Sequence, residues 1–172
     1  GDLSQFAKPD KLLPVEDVLQ IGFKCCGALA YAFNQGIVHR DIKPANIMII
    51  RERHAKIMDF GIARIRLSDV KTQTGALLGS PKYMSPEQVS GERADHRSDI
   101  FSLGVTVYEM VTGKAPFYAE DVGQLMYQVS IVPAEPPSSV DSTLPAMLDL
   151  VLAKALEKAR EARYQTAADL AA

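Results

Sequence analysis

The chain has 172 residues, 47% of them hydrophobic and 23% charged, with a formal net charge of −2. This composition predicts a packed core and excludes a disordered chain, and the near balance of charge offers neither a basic face for nucleic acid nor a solvating acidic arm. No apolar run reaches the roughly 18 residues that suggest a membrane span, and no signal peptide is visible, so no membrane contact is expected from this segment.

The first predicted element is a long helix from Pro14 to Asn34. Val18, Ile21, Gly22, Cys25, Ala28, Leu29 and Ala32 recur at three- and four-residue spacing on one face. Glu16 and Asp17 favour its start, and Gly36, expected at left-handed dihedrals, supplies the stop. Adjacent cysteines rarely bridge to each other, so Cys25 and Cys26 read as small buried helix residues in a reducing, cytoplasmic setting.

Short apolar pieces follow at Ile37-Val38, 47–50 and 55–58, too short for helices and rich in Ile, and these predict small strands or extended turns. Residues 62–86 read as one long loop, and loops of that length in compact domains are usually functional. Helical patterns return over 98–111, stopped by Gly113, then over 119–129. A connector with four prolines spans 132–145, and helices are expected over 144–160 and from Thr166 onward. The expected fold class is mainly α with small β hairpins.

The chemistry-bearing residues lie between these elements. His39-Arg40-Asp41-Ile42-Lys43-Pro44-Ala45-Asn46 is followed by Asp59-Phe60-Gly61 and then by Ser85-Pro86-Glu87. In that order and spacing the chain resembles the protein kinase family, whose signatures are a catalytic loop, an Asp-Phe-Gly element and an Ala-Pro-Glu element. Gly61-Ile62-Ala63-Arg64 and Tyr83-Met84-Ser85-Pro86-Glu87-Gln88 make it similar to bacterial Hanks-type Ser/Thr kinases in particular. Ser85 stands where the family has Ala.

The resemblance implies transfer of the ATP γ-phosphate to Ser or Thr hydroxyls of protein substrates. Such catalysis is mostly positioning and electrostatic stabilisation. Asp41 is then the candidate to orient the substrate hydroxyl and accept its proton, and Lys43 to neutralise the γ-phosphate. Asn46 and Asp59 are the candidate ligands of Mg²⁺ (or Mn²⁺), a hard cation that prefers oxygen donors. Met48 would line the floor beneath adenine.

The resemblance also implies regulatory and scaffold positions. Arg40 would receive a phosphate on the long loop, with Thr72 and Thr74 as the candidate phosphorylation sites. Ser80 would bridge toward Asp41 and Lys43 in the substrate loop. His39 and Phe60 are expected in a structural column, Glu87 and Arg163 as a buried ion pair, and Asp99 as the support of the catalytic-loop backbone.

Thirteen residues precede the helix at Pro14, with no Gly-rich loop, strand lysine or helix glutamate among them. The expectation is therefore a C-terminal lobe over 1–172, cut at both ends, inactive alone and inclined to self-associate through apolar surface near Met48, Phe60 and the start of the long helix. The alternative from a different class is a non-catalytic kinase-like module that binds proteins.

Overall fold

The computed structural model describes residues 1–50, 54–59 and 81–172, with only the backbone at His54. In chain order the elements are α1 (Val15–Asn34), β1 (Ile47–Ile50), β2 (His54–Ile57), α2 (Pro86–Val89), α3 (His96–Thr112), α4 (Val122–Ile131), α5 (Pro137–Val140), α6 (Met147–Ala155) and α7 (Ala167–Ala171), with short 3₁₀ turns at Leu3–Phe6, Pro44–Asn46 and Pro81–Tyr83. None of the described helices is long and apolar enough to cross a membrane.

α3 organises the molecule. Nearly every residue from Ser98 to Thr112 is buried, as expected for a helix surrounded by protein. Its polar residues turn inward without loss. Thr106 Oγ1 donates to Ser102 O at 2.9 Å and Thr112 Oγ1 to Tyr108 O at 2.8 Å. One side of α3 packs with α1, the hairpin and α7 through Ile100, Leu103, Met110 and Val111. The other side meets Phe117, Leu125, Val129, Leu152 and Leu156 through Phe101, Val105 and Tyr108. Gly104 permits the approach to α6, since a Cβ there would lie 3.1 Å from Ala155 Cβ.

The buried face of α1 is formed by Val18, Ile21, Cys25, Cys26, Leu29 and Ala32, and Gly36 closes it at φ 73°. Both cysteines are free and buried, and burial pushes their thiols up, to about 12 for Cys25 and about 11 for Cys26. β1 and β2 pair antiparallel with Ile47 opposite Ile57 and Met48 opposite Lys56. The chain start lies along the outer edge of β1, where Ile49 N donates to Gly1 O at 2.9 Å.

Ile37-Val38, expected as a small strand or an extended turn, forms no strand, and the next two amides are taken by a side chain of α3 rather than by a ladder. Three segments differ from the sequence expectation, each for a physical reason. α4 starts at Val122, not at 119, because Asp121 caps it by accepting from Gln124 N at 2.9 Å. The proline-rich connector contains α5, whose Ser138 N–H and hydroxyl both donate to the Asp149 carboxylate from α6. The helix expected over 144–160 is confined to Met147–Ala155. Beyond it, the carbonyls of Glu157 and Lys158 accept from Arg163 instead of from helical amides.

Candidate active site

The segment 39–46 leaves α1 and crosses beneath the hairpin. Asp99, 3% exposed in the first turn of α3, fixes its backbone: Oδ2 accepts from His39 N at 2.8 Å and Oδ1 from Arg40 N at 2.7 Å. Burial pushes the Asp99 carboxyl up, and these two amides pull against that shift without cancelling it. Arg40 is held at φ 68°, a left-handed conformation that costs a non-glycine residue about 1–3 kcal/mol.

His39 is fully buried. Its Nδ1 accepts from Asp41 N at 3.2 Å, which leaves Nε2 to donate to Met58 O at 2.9 Å. Both ring nitrogens are thus engaged in holding backbone, and the imidazole joins the loop to the end of the hairpin.

Two side chains converge on one carboxylate oxygen. Asp41 Oδ2 accepts from Lys43 Nζ at 2.8 Å and from Asn46 Nδ2 at 2.8 Å. Asn46 Nδ2 also reaches Asp41 O at 2.8 Å, so the amide orientation is fixed from two sides. The Asp41 side chain keeps 35% exposure. Oδ2 is therefore committed to the protein, and Oδ1 accepts no hydrogen bond from the described residues.

The hairpin supplies the other half of the site. Met58 N donates to Asn46 O at 2.8 Å, which brings Asp59 beside Asn46 although thirteen positions separate them in sequence. Asp59 is exposed and lies at φ 51°, a second left-handed non-glycine residue. Asn46 Oδ1 and the Asp59 carboxylate are both hard oxygen donors. Among the described residues no group of three or more His, Cys, Asp or Glu converges as a metal cage. Such a pair suits Mg²⁺ or Mn²⁺ with the remaining positions taken by water and phosphate oxygens, and does not suit a structural zinc. Met48 stands on β1, partly exposed, opposite Lys56 and bridged to Asp2.

Glu87 and Arg163 meet below the site. Nη1 and Nη2 of Arg163 reach Oε1 and Oε2 of Glu87 at 2.7 Å each, a bidentate pair almost wholly shielded from water. Ser98 Oγ donates to Glu87 at 2.6 Å. Gln88 joins this region to the segment 39–46: Oε1 accepts from Ser85 N at 3.0 Å, and Nε2 donates to Arg40 O at 2.9 Å. Sequence reasoning had not singled out Gln88. The signal was present as a capping box, Ser85-x-x-Gln88, in which Ser85 gains a purpose that the family alanine lacks. Arg40 Nε is buried and has no hydrogen-bond partner among the described residues. Phe60, Thr72, Thr74 and Ser80 lie outside the described residues.

The family model described as the protein kinase domain matches residues 1–171. The chain is similar to the serine/threonine-protein kinase PknB of Mycobacterium leprae, with 43% identity over 171 residues, covering 99% of this chain and 28% of that protein. It is similar to PknB of Mycobacterium tuberculosis (strain H37Rv), with 46% identity over 149 residues, covering 86% of this chain and 24% of that protein. A crystal structure of the Mycobacterium tuberculosis PknI kinase domain superposes with a TM-score of 0.74 at 29% identity, over 99% of this chain and 58% of that one. The chain thus spans about a quarter of the length of these curated relatives.

Proposed function

This chain belongs to the protein kinase family, and from that premise we propose that it is the catalytic-loop half of a Ser/Thr kinase, which transfers the ATP γ-phosphate to Ser or Thr hydroxyls of protein substrates. The observation that carries the proposal is the clamp on Asp41. Lys43 and Asn46 hold Oδ2, and Oδ1, which accepts no hydrogen bond from the described residues, is available to a substrate hydroxyl. A carboxylate positioned in this way orients the hydroxyl and takes its proton, and Lys43 places a positive charge where the γ-phosphate develops negative charge. Asn46 and Asp59 would hold Mg²⁺ or Mn²⁺. The cation, when bound, neutralises charge on the β- and γ-phosphate oxygens. Met48 offers an exposed apolar surface to adenine.

Regulation is proposed at Arg40. A phosphate on Thr72 or Thr74 would bring strong acceptors and about two negative charges, and the buried Nε of Arg40, which has no hydrogen-bond partner among the described residues, is suited to receive it. The buried free thiols suit a cytoplasmic setting, where ATP is abundant. The chain covers 58% of the PknI kinase domain and its sequence shows no Gly-rich loop ahead of α1. The 172 residues alone are therefore expected to transfer little phosphate. Exposed Met48 and Ile50 on the hairpin favour self-association of the isolated chain.

The test is transfer from labelled ATP with Mg²⁺ to the protein itself and to a generic basic protein. The isolated chain, the full-length protein that carries it, and that protein with Asp41→Asn are compared. Transfer by the full-length wild type, reduced at least about a hundredfold by Asp41→Asn, is the expected result. Absence of both transfer and ATP binding in all three would favour the non-catalytic binding module.

A further inference from the structure

The peptide unit between Arg40 and Asp41 immediately precedes the carboxylate clamped by Lys43 and Asn46, and side chains hold both edges of its plane. On one edge Asp41 N donates to His39 Nδ1 at 3.2 Å. On the other Arg40 O accepts from Gln88 Nε2 at 2.9 Å, across 48 positions of sequence. The first bond is long, so the second carries more of the hold. Asp99 does not supply it, because Asp99 Oδ1 takes Arg40 N and so fixes the peptide unit before this one. Arg40 also needs holding. At φ 68° it occupies a region that its Cβ disfavours, and a peptide plane free to turn would let it relax.

Gln88 stands on a fixed base. Its neighbour Glu87 is locked by the bidentate pair with Arg163, at 2.7 Å for each bond. Its own amide has one orientation that satisfies every partner. Oε1 accepts from Ser85 N at 3.0 Å and from Ser85 Oγ at 3.1 Å, which leaves Nε2 facing the Arg40 carbonyl. A glutamate would complete the capping box of α2 equally well. It would not donate to a carbonyl when ionised, whereas a glutamine accepts at one atom and donates at the other. The cap alone therefore does not call for glutamine, and the bond to Arg40 O does.

We infer that Gln88 is a positioning residue for Asp41: by holding Arg40 O it fixes the Arg40–Asp41 peptide plane, and with it the direction in which the Asp41 side chain leaves the backbone. The inference deepens the kinase reading and rests on it. Turning that plane swings the Asp41 carboxylate away from Lys43 and Asn46, and a displacement of about 1 Å at a reacting group costs on the order of a hundredfold in rate.

The experiment uses the full-length protein that carries this chain, and compares Gln88→Glu, Gln88→Met and Ser85→Ala. Gln88→Glu keeps the cap on Ser85 N and loses the donor to Arg40 O. Its urea midpoint should stay near wild type while kcat for a serine peptide falls about tenfold or more, with KM for ATP and peptide changed by less than about twofold. Ser85→Ala does the opposite: it weakens the cap and keeps the donor, so the urea midpoint should fall while kcat stays within about twofold of wild type. Gln88→Met, which introduces no charge, guards against a Gln88→Glu protein that fails to fold, and its kcat should fall likewise. Hydrogen exchange of residues 39–46 supplies a readout independent of activity. It should quicken in both Gln88 variants and not in Ser85→Ala. Folded Gln88 variants with wild-type kcat and exchange, or a Ser85→Ala protein that loses as much kcat as Gln88→Glu, would overturn the assignment. Absence of transfer by the wild type would overturn the kinase reading, and the exchange contrast would then decide whether Gln88 holds the peptide plane. Transfer by the wild type with no response in the Gln88 variants would leave the kinase reading and remove Gln88 from it.

Discussion

At the scale of single residues, the Glu87–Arg163 pair makes a pH-dependent contribution whose sign follows from its surroundings. Burial pushes the Glu87 carboxyl up, but the Arg163 guanidinium and the Ser98 hydroxyl outweigh it and hold the group below its ordinary 4.5. The unfolded chain therefore takes up this proton at higher pH than the folded one. The stabilisation is fully present above about pH 4.5 and is lost as pH falls through the lower folded value. The urea midpoint of the wild type should drop on acidification through that window. Glu87→Gln should flatten the dependence and lower stability near neutral pH by about 3–5 kcal/mol, because it strands a buried guanidinium. Unchanged acid sensitivity in Glu87→Gln would show that other carboxylates set it. Much of the site could be read from residue identity alone, because Asp41, Lys43 and Asn46 lie on one short segment whose side chains the structure brings together. The Gln88–Arg40 contact could not, since it joins positions 48 apart and ends on a backbone carbonyl that no residue identity announces.

At the scale of elements, periodicity identified the long helices, while caps and remote side chains decided where they end. α1 matched its pattern closely because one face supplies its whole burial. α6 came out shorter than its pattern because Arg163, from outside the helix, captures the carbonyls that would have continued it. Two glycines separate these influences. Gly27 lies inside α1 with open space where a Cβ would go, so Gly27→Ala should stabilise the chain by about 0.5–1 kcal/mol. Gly113 closes α3 at φ 70°, and a Cβ there would lie 3.1 Å from Pro9 Cα. Gly113→Ala should destabilise by about 2 kcal/mol from its left-handed dihedrals and the contact together. Denaturation curves that failed to move in opposite directions would contradict this account.

At the scale of the whole molecule, apolar surface is distributed unevenly. Met48 and Ile50 are exposed on the hairpin, while Phe23 of α1 and Met147 and Leu150 of α6 are exposed elsewhere. Light scattering of the isolated chain should show mass rising with concentration, and Met48→Gln with Ile50→Thr should reduce the rise. A single monomer mass at high concentration would refute hairpin-mediated association. Chain order adds a kinetic consequence through Asp99. The amides of His39 and Arg40 are held by a carboxylate about sixty positions downstream. During synthesis, residues 39–46 leave the ribosome well before that anchor exists, so this segment cannot be locked until α3 has been made and has docked. Closing so long a loop is an entropic barrier that local contacts do not lower. In pulse-labelling hydrogen exchange during refolding, His39 and Arg40 should gain protection together with α3 and after α1. The segment 39–46 would then be among the last parts of the domain to mature, and a chain arrested before α3 would carry every residue of the Asp41 clamp without its geometry.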